Sequence, residues 1–232
     1  MTSRLDALTV RASDPAALAR FWADLLGRDA VGPGGTELPP VEDAGVALRF
    51  VGGAPPRKGL NQVHLHLTSA AAGDQDRTVQ RALDLGARHL DVGQLPDEDH
   101  VVLADPEGNE FCVIEAGNSW LAGCGFLGEL ACDGTPEVGR FHSAALGWPL
   151  VWDQDGETAV RSPLGGPKIA WGGPPLNERH GPNRMFLDLS TSDDLAAEVD
   201  RLTSLGAALV QHTSAHVVLA DPDGNELRLT RS

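Results

Sequence analysis

The sequence of 232 residues contains no tyrosine, and aromatic side chains of all kinds make up only 5% of it. It also lacks any run of about 18 apolar residues, the length that a membrane-spanning helix needs. The first residues, MTSRLDALTVRASD, lack the apolar segment of a secretory signal. These absences predict a cytoplasmic protein with no membrane partner.

Cysteine and lysine are scarce as well. Cys112, Cys124 and Cys132 form no C-x-x-C pair, and their odd number argues against a disulfide framework. Of the 18 basic residues only Lys58 and Lys168 are lysines, a bias typical of GC-rich bacterial genomes. The net charge of −15 would repel a phosphate backbone, so we expect no nucleic-acid partner. A composition of 41% apolar and 22% charged residues is that of a globular protein.

What the sequence does contain is an internal repeat. Three stretches of the first half return in the second half: HVVLADPEGNE (from residue 100) as HVVLADPDGNE (from residue 216), RFWADLLGRDAV (from 20) as RFHSAALGWPLV (from 140), and NQVHLHLTS (from 61) as NRMFLDLST (from 183). The three offsets, 116, 120 and 122 residues, are nearly equal and the stretches keep the same order, and such self-similarity identifies a duplicated structural unit. We therefore predict two domains, copy one at residues 1–116 and copy two at 125–232, joined by a linker at 117–124.

Each copy is predicted to consist of two modules, each with a strand, a helix and two or three further strands. In the first module Asp14 and Pro15 begin a helix and Gly27 ends it. The sequence Asp-Pro-Glu-Gly-Asn after residue 104 has the turn residues of a hairpin. The predicted strands of copy one are 5–12, 28–31, 46–51, 62–68, 87–92, 100–104 and 110–115, and its second helix is 75–85.

The stretches SDPAALARFWADLLG, NQVHLHL and VVLADPEGNEFCVIE resemble the vicinal oxygen chelate superfamily, which includes glyoxalase I, bleomycin-resistance proteins and extradiol dioxygenases. Because both copies match, the resemblance covers nearly the whole chain. It implies an α+β fold of tandem glyoxalase-like domains, in which four βαβββ modules form two cup-shaped, mostly antiparallel sheets with helices on the outside. Since single-domain members usually dimerise, we expect a monomeric pseudo-dimer or a homodimer.

Enzymes of this superfamily hold a divalent metal inside the cup, on ligands from the first strand, the first strand of the second module and the last strand. In copy one, these three positions are Ala7, His64 and Cys112. In copy two, the same positions are Leu127, Phe186 and Arg228. Only His64 is a residue that the family uses as a ligand at its position. Even with Cys112 as a second ligand, two side chains make no firm site for a divalent ion. We therefore expect no catalytic metal and keep a divalent metal as the lesser alternative. Other ligands that would support it are His66, Glu110, Asp188 and Glu226.

The resemblance also indicates which side chains contact a bound molecule. The predicted ligand-binding residues are His64, His66, Cys112, Phe50, Trp171, Phe186 and Arg228. Several have a structural alternative: His64 and Cys112 could pack in a core, and Arg228 could pair outward with a carboxylate. Phe50 and Trp171 could stack on a flat ligand or fill the mouth of a cup.

Three functions remain open from the sequence. The leading one is a protein of the bleomycin-resistance type that binds a small organic molecule in a concave cavity without a catalytic metal. The second is a lyase, isomerase or dioxygenase that uses an unusual metal site or acid–base chemistry at His64. The third is a structural or partner-binding protein whose cups are filled by its own side chains.

Overall fold

A computed structural model describes residues 3–41, 45–95 and 97–232, so the first two residues of predicted copy one lie outside the described part. Copy one contains β1 (Arg4–Ala12), α1 (Pro15–Leu26), β2 (Glu37–Leu38), β3 (Ala47–Gly52), β4 (Val63–Leu67), α2 (Asp74–Asp84), β5 (Arg88–His89), β6 (Val101–Ala104) and β7 (Glu110–Val113). Copy two contains β8 (Leu127–Cys132), α3 (Pro136–Leu146), β9 (Leu150–Gln154), β10 (Glu157–Ser162), β11 (Gly165–Trp171), β12 (Met185–Thr191), α4 (Leu195–Ser204), β13 (Ala208–His212), β14 (Val217–Ala220) and β15 (Glu226–Arg231). None of the helices in the described ranges has the length and apolar character needed to cross a membrane.

The strands form two sheets, and each sheet contains strands from both copies. Sheet A has seven strands in the order β13-β14-β15-β12-β1-β3-β2, and sheet B has eight in the order β5-β6-β7-β4-β8-β11-β10-β9. The copies meet at two antiparallel pairs, β1 with β12 and β4 with β8. The pairing is parallel where the first and last strands of one module meet, as in β4 with β7. The predicted α+β fold with two mostly antiparallel sheets is therefore confirmed.

One predicted strand, at residues 28–31, does not form. Val31 makes only an isolated bridge to Glu37. Gly32 and Gly34 then adopt positive φ, and Pro33 between them has no N–H to donate to a ladder. Among the described residues, the first module consequently has two strands after its helix where the other modules have three.

Helix α1 begins and ends where the sequence predicts. The side chain of Asp14 accepts a hydrogen bond from the backbone N–H of Ala17 at 3.0 Å, and Pro15 occupies the first turn. Gly27 ends the helix with a left-handed φ of 65°, which costs glycine nothing sterically. The helix buries Phe21 and Trp22 on one face.

The hydrophobic core joins the two sheets. Phe21 and Trp22, from a helix that follows a strand of sheet A, pack against Phe111 in β7 of sheet B. The ring centroids of Trp22 and Phe111 are 5.1 Å apart, and those of Phe21 and Phe111 are 6.2 Å apart, both edge to face. Because one continuous apolar cluster spans both sheets, the two copies share one core.

The repeated hairpin has a structural role. One carboxylate oxygen of Asp105 accepts hydrogen bonds from the backbone N–H groups of Glu107 and Asn109, both at 2.9 Å. The other oxygen accepts from the indole N–H of Trp22 at 3.2 Å. In copy two, Asp221 accepts the equivalent backbone hydrogen bonds in its own hairpin.

The hairpin also caps a helix. Glu107 accepts hydrogen bonds from the backbone N–H groups of Ser13 and Asp14, at the start of α1, at 2.8 and 2.9 Å. In copy two Asp223 accepts from the backbone N–H of Thr135, at the start of α3, at 2.6 Å. Each copy repeats the motif because each needs this link between its last hairpin and its first helix.

We predict that Asp105→Ala lowers the free energy of unfolding by about 2–4 kcal/mol, because it leaves several buried N–H donors without an acceptor. Asp221→Ala is the matched control: its hairpin is equivalent, but His142, the counterpart of Trp22, lies 3.9 Å from the Asp221 carboxylate, beyond hydrogen-bond distance. Urea denaturation of both variants measures the difference. An equal loss in the two would contradict the role given to the indole hydrogen bond.

Candidate functional site

The register of sheet B aligns four polar side chains across four neighbouring strands. His66 of β4 lies beside Cys112 of β7 on one side and opposite Glu129 of β8 on the other, and Glu129 lies beside Lys168 of β11. Because side chains alternate along a strand, His64 faces the same way as His66. We call the face that carries these residues cup B.

A carboxylate–imidazole pair lies at the centre of cup B. Nδ1 of His66 is 2.7 Å from Oε2 of Glu129, whose side chain is only 3% exposed. The indole N–H of Trp120 donates to the other oxygen of Glu129 at 2.6 Å. Nε2 of His66 is 2.9 Å from Nε2 of His64. Both oxygens of Glu129 and both nitrogens of His66 therefore have polar partners.

The pair gives the two histidines opposite pKa shifts. Burial lowers the pKa of His66, but hydrogen bonds to Cys112 and Glu129 outweigh it and raise the value to about 9. Burial, together with repulsion from His66 and His100, lowers the pKa of His64 to about 3. At neutral pH the site thus combines a protonated and a neutral imidazole, and Nε2 of the neutral His64 accepts a hydrogen bond from Nε2–H of His66.

Trp120 belongs to the predicted linker and forms part of the cup wall. Its ring lies 3.7 Å from Nζ of Lys168 and meets the ring of Trp152 edge to face, with centroids 5.6 Å apart. The Lys168 ammonium also donates to the backbone oxygen of Trp120. The linker therefore closes one side of cup B with an aromatic surface.

Two cavities meet at His64. The larger, of about 250 Å³, lies between the His64–His66 pair and Trp120, with Glu129 and Ala131 in its wall. The smaller, of about 130 Å³, continues on the other side of His64; its wall includes Leu60, Asn61, Val92, His100, Val102, Glu110 and Cys112. Polar groups are thus concentrated at the centre of an otherwise largely apolar surface.

Cup A, the equivalent face of sheet A, carries a different set of side chains. Asp188 receives hydrogen bonds from Nε of Arg228 at 2.7 Å and from the hydroxyl of Thr9 at 2.5 Å, and it pairs with Arg49. The ring of Phe186 lies 5.4 Å from the Arg228 guanidinium carbon. The cup is crossed by its own ion pairs.

The first-strand ligand position of copy two was predicted wrongly. Glu129 pairs with His66 as Ala7 pairs with Asp188, so Glu129, and not Leu127, is the counterpart of Ala7. The prediction carried the spacing of the repeated helices, 120 residues from Gly27 to Gly147, into the preceding strand, where the register gives 122. The sequence did contain a signal, since Glu129 is a lone acidic residue inside the apolar stretch LGELAC.

The other predicted residues divide between cup and core. His64, His66 and Cys112 meet in cup B, whereas Phe186 and Arg228 lie in cup A. Phe50 and Trp171 are each 2% exposed and lie in the hydrophobic core, on the opposite face of their strands from the cups. Trp171 stacks on His142 of α3 at a centroid distance of 5.0 Å, although its edge reaches the larger cavity.

Besides Asp188, two more of the alternative ligands are committed to arginines. Glu110 pairs with Arg57 at 2.9 Å and accepts a hydrogen bond from the amide nitrogen of Asn61 at 3.0 Å. Burial raises the pKa of Glu110. Glu226 pairs with Arg11 at 2.9 Å. These carboxylates support the loops around the cups.

The donor atoms of cup B fit a metal ion. Among the described residues, the ligand atoms of His64, His66 and Cys112 lie within 4.8 Å of one another. Glu129 fixes the Nδ1 side of His66, as the second partner of a metal-bound histidine commonly does. Imidazole and thiolate ligands favour zinc, iron, nickel or copper over magnesium or calcium. The expectation of a cup without metal stays a prediction.

Comparison with known proteins places this geometry in a family. The model of the glyoxalase-like domain matches the chain twice, at residues 7–114 and 129–230. The structure of glyoxalase I from Zea mays superposes with a TM-score of 0.66 at 14% identity, covering 99% of this chain and 92% of that chain. A glyoxalase I mutant from Zea mays superposes with a TM-score of 0.64 at 13% identity and the same coverage. At such identities the superpositions show the fold alone. No curated protein matches the sequence significantly.

We predict that His66 of chelator-treated protein stays protonated above its ordinary pKa of 6.5 and titrates near pH 9. Replacing Glu129 with glutamine removes the negative charge but keeps the shape, so the pKa of His66 should fall towards its ordinary value. NMR titration of the imidazole signals measures both. His142, buried against Trp171, is the control resonance and should not respond to Glu129→Gln. An unchanged His66 pKa in the variant would contradict the assigned ion pair.

Proposed function

Because the chain belongs to the glyoxalase-like domain family, with one copy in each half, we propose that it binds a small organic molecule in cup B. The observation that carries the proposal is the contrast between the two cups. Cup B presents two adjoining cavities around His64. In cup A the counterpart of His64 is Phe186, whose ring lies below the guanidinium groups of Arg11 and Arg228.

The lining of cup B indicates the chemistry of the ligand. The larger cavity offers the ring of Trp120 and the methyl groups of Ala131 and Ala170 to an apolar or aromatic part. His64, between the two cavities, offers a neutral imidazole to a hydroxyl or carbonyl group. A largely apolar concave surface with a few polar groups at its centre is the usual design of a small-molecule site.

This proposal does not depend on a metal. His66 and Glu129 compensate each other's charge at the centre of the cup, and the site keeps its shape through their contact. The third function predicted from the sequence is a structural one, in which the protein's own side chains fill a cup. This description fits cup A better than cup B. We therefore assign the structural role to cup A and the binding role to cup B.

Ligands should be found by thermal-shift screening with aromatic compounds and small 2-oxo compounds, because a ligand that binds the folded state raises the unfolding temperature. His64→Ala should weaken binding of a hit at least about tenfold, the value of one good hydrogen bond, with little loss of stability. Phe186→Leu, at the counterpart position in cup A, is the matched control and should leave binding unchanged. Calorimetric titration of both variants measures the affinities, and equal weakening in the two would contradict the assignment of the binding site to cup B.

The convergence of His64, His66 and Cys112 favours a second candidate function, a metal-dependent lyase, isomerase or dioxygenase. These three side chains would hold the ion, which when bound would act as a Lewis acid towards a carbonyl or enolate oxygen. Glu129 would orient His66 through the contact at 2.7 Å, and Trp120 would exclude water from one side of the cup.

Elemental analysis of protein purified without chelators separates the two candidates. Under the leading proposal the protein carries far less than one transition-metal ion per chain, and ligand binding survives chelation. The second candidate would replace the leading proposal if the protein carried about one zinc, iron, nickel or copper ion per chain. That ion should be lost in Cys112→Ser and kept in Cys124→Ser. Cys124 lies outside the cluster and controls for a general thiol effect.

A further inference from the structure

We infer that the protein binds an oxyanion between two rim segments, residues 55–62 of copy one and residues 180–184 of copy two. These segments are counterparts in the repeat and face each other across a cavity of about 20 Å³. A cavity of this size accommodates one water-sized group, so a single oxygen of a phosphate, sulfate or carboxylate fits. The inference is independent of the function proposed for cup B.

Arg184 is the central group of this site. Its side chain is 9% exposed. Nε donates to Oδ1 of Asn109 at 3.0 Å, and Nη1 donates to the backbone oxygen of Pro55 at 2.8 Å. Nη2 is buried and has no hydrogen-bond partner among the described residues. A buried, charged N–H group without an acceptor is costly, and an anionic oxygen would remove that cost.

Glu107 forms a long ion pair with Arg184 but gives its Nη2 no hydrogen bond. Oε2 of Glu107 lies 3.7 Å from Nη2 of Arg184, beyond hydrogen-bond distance. Oε1 of Glu107 holds the backbone N–H groups of Ser13 and Asp14 at the start of α1. Because Oε1 is held at the helix start, Glu107 offsets part of the guanidinium charge without supplying an acceptor to Nη2.

A second unpartnered donor lines the same cavity. Gln62 is the counterpart of Arg184 in the repeat, since NQVHLHLTS aligns with NRMFLDLST. Its Nε2 is also buried and has no partner within the described ranges. Two equivalent positions, one from each copy, thus line this cavity and carry N–H groups without an acceptor in the described part of the chain. N–H donors favour a ligand atom that accepts hydrogen bonds.

Positive charge gathers at the site although the whole chain carries −15. Arg57 and Lys58 lie in the wall with Arg184, and His180 completes it from copy two. Glu110 neutralises Arg57 at 2.9 Å, whereas Glu107 faces Arg184 only at 3.7 Å. The unfilled N–H of Arg184 and the exposed Lys58 are left to attract an anion. A guanidinium that is buried and an ammonium at the rim are the usual partners of phosphate and sulfate.

The test compares thermal unfolding in sodium phosphate with that in sodium chloride of equal ionic strength, followed by calorimetric titration with inorganic phosphate. Phosphate at about ten times its Kd should raise the unfolding temperature by about 3–6 °C over chloride. Arg184→Gln, which copies the residue at Gln62, should weaken phosphate binding at least about tenfold. Lys58→Ala, an exposed change that does not disturb packing, should weaken it about two- to fivefold.

Arg179→Ala is the matched control, because Arg179 is the counterpart of Arg57 and lies in the same way against its hairpin glycine, Gly224, but is outside the described wall of the cavity. It removes the same charge and should leave phosphate binding unchanged, as should His64→Ala in cup B. No stabilisation by phosphate beyond that of chloride would overturn the inference and leave the cavity to an ordered water. Equal weakening in Lys58→Ala and Arg179→Ala would also overturn it, since phosphate would then respond only to overall charge.

Discussion

Antiparallel pairing between strands of different copies is the constraint on which the rest of the structure depends. The pairs β4 with β8 and β1 with β12 fix the register, and the register decides which side chains share a cup. His66 and Glu129 are distant in sequence, yet they lie directly opposite each other because of this pairing. The ion pair at the centre of cup B follows from that alignment, and the hydrogen bond from Trp120 is made to the same carboxylate.

The two cups illustrate two ways of accommodating charge in a partly buried place. In cup B one carboxylate meets one imidazole, and the remaining wall stays apolar enough to leave room around His64. In cup A the counterpart of His66 is Asp188, and two arginines converge on it. Arginine side chains are long and bulky. The two that compensate the charge of Asp188 therefore occupy space in cup A, whereas the corresponding space in cup B stays open.

Much of the fold could be predicted from the sequence because its signals are local. The cap of α1 at Asp14, its end at Gly27 and the hairpin after Ala104 depend on residues within a few positions of one another. The centre of cup B could not be predicted in the same way. Glu129 was missed because the spacing of the repeat is 120 between α1 and α3 but 122 between β1 and β8, and one alignment does not serve both.

Some candidate residues were misplaced for a related reason. Phe50 was predicted at a cup mouth from its aromatic character, but alternation along β3 turns Arg49 towards cup A and Phe50 towards the core. Trp120 was hidden in a segment interpreted as a linker, where no periodicity predicts its direction. Only the folded arrangement shows that its indole reaches Glu129.

Because each sheet takes its strands from both halves, the two copies of the gene segment are not free to evolve one at a time. A substitution in β8, in the second half, alters the pocket whose histidines come from the first half. Each cup is lined by one module of each half, so a change in one module is met by a module on the other side of the duplication, as the acidic Glu129 of the second half meets the basic His66 of the first.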